Sequence, residues 1–424
     1  MFSDAFDSYM KYAYPLDELD PINCKGNSRT KDSQDWYVND VLGNYSLTLV
    51  DSLDALAIFG KQKEFEQSVK RVIQTVSFSK DVRVQVFEVT IRVLGGLLSA
   101  HLLATDATLG FKIDWYNGEL LDLAEDLGQR LLPAFDTPFG IPYPRVNLKS
   151  GVMSYEVREA CVAGAGTLIL EFGALSRLTG NYIYEEKAKI ALFEIWRRRT
   201  DIGLVGNTMN IFSETVVLID IDKQWVDEMS GVGAGSDSFF EYLFKAYVLL
   251  GGKEYLDTYQ SAYEAIMKHI VDGDGFIFKS VSAFSGKMIT AWVDSLSAFF
   301  PGLQVLSGHL EDSIHPHLLY ATIWKKYGAL PERFNFQTKS SVLDYYPLRP
   351  ELIESTYMLY QATKDHFYLE LGERILNDIQ THAKVKCGYA SIKNVEHKTH
   401  DPRMESFFLS ETLKYLYLLF DAGM

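Results

Sequence analysis

Apolar and polar positions along the chain sort into two kinds of helix. One kind is apolar almost all round, and seven such runs each carry a carboxylate near their start: Asp51, Glu88, Glu171, Asp237, Asp294, Glu354 and Glu411. The other kind is amphipathic, with apolar residues three and four apart and a charged outer stripe, at 61–75, 184–199, 255–270 and 365–383. A helix apolar on most faces must be covered on most sides, and an amphipathic helix can provide that cover with one face. Alternating the two kinds predicts an all-α fold, an (α/α)7 toroid with an inner and an outer ring of helices. From Asp237 onward the carboxylates recur at steps of 57, 60 and 57 residues, a weak internal repeat.

The step from Glu88 to Glu171 is longer, at 83 residues. Its Pro-rich stretch, 131–147, predicts a loop or β-hairpin insertion, and a second β-like insertion is expected at 203–219. No linker, low-complexity tract or charge block interrupts the sequence, so residues 1–424 are expected to form a single catalytic-type domain.

Charge narrows the function classes. Lys and Arg number 41 against 56 Asp and Glu, a net charge of −15, which argues against nucleic acid and against an electrostatic hold on anionic membranes. The longest uncharged stretch, 93–105, is too short to span a bilayer. Asp4 and Asp7 do not suit a signal peptide, and no retrieval signal closes the C-terminus. Aromatics are abundant at 13 %, which suits both large cores and sugar-stacking surfaces.

Cys24, Cys161 and Cys387 show no zinc or C-x-x-C spacing. Three buried thiols and a Cys24–Cys387 disulfide both remain open, since those two lie in turns and Cys161 in an apolar helical run. Asn44, in Asn44-Tyr45-Ser46, is the only glycosylation sequon.

Each repeated carboxylate has an ordinary structural explanation. Acids near helix starts oppose the macrodipole, and Asp51, Asp237 and Asp294 could be N-caps. Glu caps poorly, however, and Glu88 follows the apolar run VRVQVF. In an α/α toroid the inner helices run the same way, so several carboxylates gather at one end of a cavity. Like charges so gathered raise some pKa values and call for a divalent cation, basic partners or an acid–base role. Arg92 and Arg349 supply basic partners. Acids with Arg clamps and many aromatics suit sugar hydroxyls, and glycoside hydrolysis needs two carboxyl groups. Metalloprotease, P-loop and nucleophile-elbow motifs are absent.

The strings VQVFEVTIRVLGGLLSAH, LEFGALSRLTGN, GAGSDSFFEYLFK, YPLRPELIESTYMLY and MESFFLSETLKYLYLLF resemble glycoside hydrolase family 47, the calcium-dependent α-1,2-mannosidases. WVDSLSAFF and the Gly235-Ser236 pair point within it to the endoplasmic-reticulum degradation-enhancing mannosidase-like branch. The resemblance implies an inverting exo-α-1,2-mannosidase that trims high-mannose N-glycans of misfolded glycoproteins in the lumen of the endoplasmic reticulum. The alternative it leaves is a weakly catalytic mannose-binding lectin or chaperone. By resemblance Glu351 is the general base, Glu88 and Asp237 are the acids that could deliver the proton, and Arg92, Glu171, Asp294, Arg349, Phe407 and Glu411 line the mannose pocket. A Ca²⁺ held largely through waters is implied too. Its direct protein ligand would be a Thr beyond Met424, so a truncated C-terminal end is expected. The resemblance also implies a Cys24–Cys387 disulfide, Cys161 as a free thiol on a buried helix, and a protein disulfide isomerase as partner.

Overall fold

The computed structural model describes residues 1–30, 36–212 and 224–421. The chain divides into two compact units, the first Arg29–Ile270 with Val281–Ile289, the second Met1–Ser28 with Val271–Ser280 and Thr290–Met424.

The first unit holds four packed helix pairs: Leu53–Ile58 with Gln62–Thr75, Val86–Thr105 with Glu119–Leu131, Ile169–Thr179 with Ile183–Arg197, and Asp237–Leu250 with Lys253–His269. In each pair a largely apolar helix is followed by an amphipathic one, as the patterning predicts. Val86–Thr105 is long and apolar enough to cross a membrane by length and composition. It carries Glu88 and Arg92, and it packs against Leu53–Ile58 and Glu119–Leu131, which is the behaviour of a core helix. Gly96 makes the close approach possible, since a Cβ there would stand 2.7 Å from the Val50 carbonyl oxygen.

The second unit holds Phe300–Leu306 with Leu310–Tyr327 and Glu351–Thr363 with His366–His382. Its last helix, Leu413–Phe420, continues from the turn Phe408–Thr412, which packs against Phe2–Tyr12. Trp324 and Tyr346 meet edge to face in its core, with ring centroids 5.3 Å apart. Cys24 and Cys387 are disulfide-bonded, the pairing that the family resemblance implies.

Short antiparallel ladders fill the connections. Arg83–Gln85 pairs with Arg145–Asn147, so the Pro-rich insertion ends in a strand. Thr208–Asn210, in the second predicted insertion, pairs with Glu159–Cys161 and Trp225–Asp227. The remainder of that insertion, 213–219, lies outside the described residues.

Several local expectations are corrected. Asp51 ends the helix Leu47–Asp51 and does not stand ahead of a helix start, because the helix breaks at Ser52, which is the cap position of Leu53–Ile58. Asp294 closes the strand Trp292–Asp294, two residues before the next helical turn. Its Oδ1 accepts from the Leu296 N–H at 3.0 Å, so it caps that turn from the strand side. Asp237 is the first helical residue and Ser236 the cap position. Cys161 is the last residue of a strand and caps Val162–Gly166 through its Sγ, and so does not sit on a buried helix. Asn44 is exposed in the left-handed region (φ 59°), while Ser46 of its sequon is buried.

Candidate active site

In the first unit the helix Val86–Thr105 is not regular. Residues Val89–Leu94 form a π-helical turn directly after Glu88, and that turn carries Arg92. Such turns insert a residue into the helical ladder and concentrate at functional sites. Arg92 Nε donates to Glu88 Oε2 at 2.8 Å, with side chains 11 % and 19 % exposed.

Glu171 sits in the first turn of Ile169–Thr179. The Tyr242 hydroxyl donates to its Oε1 at 2.7 Å, whereas Oε2 is buried without a hydrogen-bond partner. Burial pushes its pKa up to about 7, against the Tyr242 hydrogen bond, which pulls it down.

Asp237 opens its helix after a turn that requires Gly235 (φ 101°), and a Cβ at Gly235 would stand 2.8 Å from Asn207 Cγ. The Ser236 hydroxyl closes this turn on the Gly231 carbonyl at 2.8 Å. Asp237 Oδ1 accepts from the Ser238 N–H at 2.8 Å. Burial pushes the Cys161 thiol up, and the charges of Asp237 and Glu88 add to it, so that thiol feels both carboxylates. A raised thiol is a poor nucleophile, which leaves Cys161 a capping group.

In the second unit Arg349 is the hub. Its Nε and Nη2 donate to both oxygens of Glu332, at 2.5 and 2.9 Å, and its Nη1 lies 3.9 Å from Glu351 Oε1. Glu351 is the first residue of Glu351–Thr363. Burial drives its pKa well above the usual carboxylate range, with Arg349 opposing and Glu411 and Glu332 adding to the rise. Asp294 is pushed up in the same way, by burial and then by Glu332. Burial works against the Arg349 charge, yet Glu332 and Glu351 hold its pKa above the ordinary value. Phe407, buried, precedes a second π-helical turn, Phe408–Thr412, which carries Glu411.

Each unit thus gathers its own share of the expected residues. Glu88 joins Arg92, Arg349 acts on both Asp294 and Glu351, and Glu411 acts on Glu351. Glu354, a repeat carboxylate, points elsewhere and accepts from the Tyr415 hydroxyl at 3.2 Å. Sequence patterning missed Glu332 and Tyr242. Glu332 precedes a strand, Arg333–Asn335, so a search for acids at helix starts passes over it. Tyr242 lies five residues into the Asp237 helix, and its spacing gives no sign of its partner.

Among the described residues no group of three His, Cys, Asp or Glu side chains could hold a metal ion. The carboxylates are hard oxygen donors of the kind Ca²⁺ prefers, but three of them do not converge, so they do not fit a cation bound directly by protein. Each unit by itself places a carboxyl group beside an arginine, Glu88 with Arg92 in the first and Glu351 with Arg349 in the second.

Comparisons with known proteins agree with this chemistry. The model of glycosyl hydrolase family 47 matches residues 1–423. The chain is 48 % identical over 422 residues to "ER degradation-enhancing alpha-mannosidase-like protein 1" of Schizosaccharomyces pombe, covering 99 % of this chain and 52 % of the relative. It is 47 % identical to "Alpha-mannosidase I MNS4" of Arabidopsis thaliana, covering 99 % and 64 %. The chain therefore spans roughly half to two thirds of the length of these relatives. Among solved structures, an alpha-1,2-mannosidase from Trichoderma reesei superposes with a TM-score of 0.87 at 24 % identity, covering 100 % of this chain and 92 % of that one. The fold is accordingly a helical (α/α) barrel.

Proposed function

We propose, from the premise that this chain belongs to glycosyl hydrolase family 47, that it is an inverting exo-α-1,2-mannosidase acting on high-mannose N-glycans of misfolded glycoproteins. The observation that carries this is buried Glu351 beside an arginine that Glu332 already holds in a bidentate grip. Glu332 fixes Arg349, so the guanidinium steadies Glu351 without being fully spent on it. Raising a carboxylate toward the working pH makes it a stronger base. In this reading Glu351 takes a proton from a water whose oxygen bonds to the anomeric carbon. The bond from that carbon to the glycosidic oxygen breaks, and the leaving oxygen takes a proton from Glu88 or Asp237. Arg92, Glu171, Asp294, Arg349, Phe407 and Glu411 orient the sugar. Bound Ca²⁺ would supply charge stabilisation at sugar hydroxyls, and no step here depends on it.

The upward shift of Glu351 also supports a second reading. A carboxyl that keeps its proton donates hydrogen bonds to sugar hydroxyls but cannot act as a base. The chain would then be a mannose-binding lectin or chaperone on the same fold. Incubation with a high-mannose glycan, with Ca²⁺ and with chelator, separates the two. Release of mannose that Glu351→Gln abolishes supports hydrolysis, and retained binding without release supports the lectin.

The setting we propose is the lumen of the endoplasmic reticulum, where a disulfide such as Cys24–Cys387 persists and a protein disulfide isomerase is a plausible partner. Relatives named for degradation in that compartment support it. We also propose glycosylation at Asn44, checked by a mass loss on deglycosylation that Asn44→Gln removes.

A further inference from the structure

Next to the Arg349 cluster, the three-stranded sheet of the second unit presents a face on which Trp292, Arg333 and Asn335 have no part in the proposed mechanism. Trp292 and Asp294 lie two apart on Trp292–Asp294, so they share a face, and Val293 between them is buried. On the partner strand Arg333 and Asn335 share that face, with Phe334 buried between them. The register sets Trp292 opposite Asn335 and Asp294 opposite Arg333. Arg333 crosses the diagonal: its guanidinium carbon lies 5.3 Å from the Trp292 ring centroid, and its Nε lies 3.7 Å from Asp294 Oδ2. The Arg333 side chain is 38 % exposed and Trp292 is half-buried.

From this arrangement we infer that Trp292, framed by Arg333 and Asn335, is an outer subsite for a neutral hexose of the same mannose chain, which deepens the mannosidase reading and rests on it. An indole face offers C–H contacts to a sugar ring, and fixed polar groups around it meet the hydroxyls, the usual make-up of a small-molecule site. The charge balance on this face favours a neutral ligand, because Asp294 offsets Arg333. Continuity with the cluster favours the same oligosaccharide. Arg333 directly follows Glu332, which holds Arg349, and Asp294 belongs both to this platform and to the pocket.

Isothermal calorimetry with two probes, a free high-mannose oligosaccharide and methyl α-mannoside, tests the inference. Trp292→Ala is expected to weaken the oligosaccharide about tenfold, equivalent to about 1.4 kcal/mol, and to leave methyl α-mannoside unchanged. Trp292→Phe keeps a ring and is expected to stay within about threefold of wild type. Arg333→Met, which keeps the indole, is expected to show the same selective loss at smaller size, and it carries the test should Trp292→Ala fail to fold by circular dichroism. Equal weakening of both probes, or no change in either, overturns the subsite. If the wild-type protein binds neither probe, the subsite falls together with the mannosidase reading. That outcome is distinct, because it appears before any substitution is made.

Discussion

Arg92 and Arg349 each hold a glutamate of the candidate site, and they do so in opposite ways. Arg92 reaches Glu88 from within one helix, across a π-helical turn, at 2.8 Å. Arg349 is a loop residue whose fork is committed to Glu332, leaving Glu351 at 3.9 Å. The first pair is partly open to solvent. The second is open to a similar degree, with Arg349 22 % and Glu351 15 % exposed, but it has more acid around it than base, and loss of water around Glu351 drives its pKa upward. The same two residue types thus give one satisfied ion pair and one strained, proton-seeking carboxyl. What separates them is a third residue, Glu332, and the further acid around Glu351.

The largest effect that would break the comparison comes from Arg349. Arg349→Met leaves Glu332, Glu351 and Asp294 buried together without their cation. We expect a loss of about 3–5 kcal/mol in urea unfolding at neutral pH. A loss no larger than that from Arg92→Met would mean that the second pair is no more demanding than the first.

Next comes Glu171, an acid of the first unit with a buried carboxylate oxygen. Its proton is held in the folded chain up to about pH 7 and is released near 4.5, the ordinary value, in the unfolded chain. Between those values the folded state binds more protons, so stability falls as pH rises from about 4.5 to about 7 and then levels off. Glu171→Gln should remove that fall and leave the variant more stable than wild type above neutral pH, by up to about 3 kcal/mol. Chemical unfolding across this pH range checks it, and a variant with the wild-type slope would contradict it.

The smallest effect belongs to the first pair. Arg92→Met breaks one charge-assisted hydrogen bond in a site that water can partly reach, and about 1.5 kcal/mol should be lost. Added salt should shrink both losses, since both pairs are partly open to solvent.

The helix pairs were legible in the sequence because burial imposes its period on the residues themselves. Apolar-all-round and amphipathic stretches alternate as the chain alternates between enclosed and covering helices. The carboxylates at Glu88, Glu171, Asp237 and Glu411 were legible for the same reason, each standing out against an apolar run. The π-helical turns were not, since a ladder shifted by one residue leaves no compositional mark. Asp294 was misplaced onto a helix because WVDSLSAFF reads as one apolar run, while its first three residues pair with Arg333–Asn335 across 41 residues of chain. A long-range strand partner cannot be seen in a local window. Glu332 was missed for that reason too, because it works only once Arg349 is brought against it.

The central claim is that buried Glu351 acts as a base whose pKa has been lifted, and its most direct test is the pH profile of mannose release from a high-mannose glycan. With Glu351 as the base, kcat should rise with pH along a limb displaced well above the usual carboxylate range, and Glu351→Gln should abolish release while leaving the fold and glycan binding in place. Release that continues in Glu351→Gln with the same pH limb would contradict it.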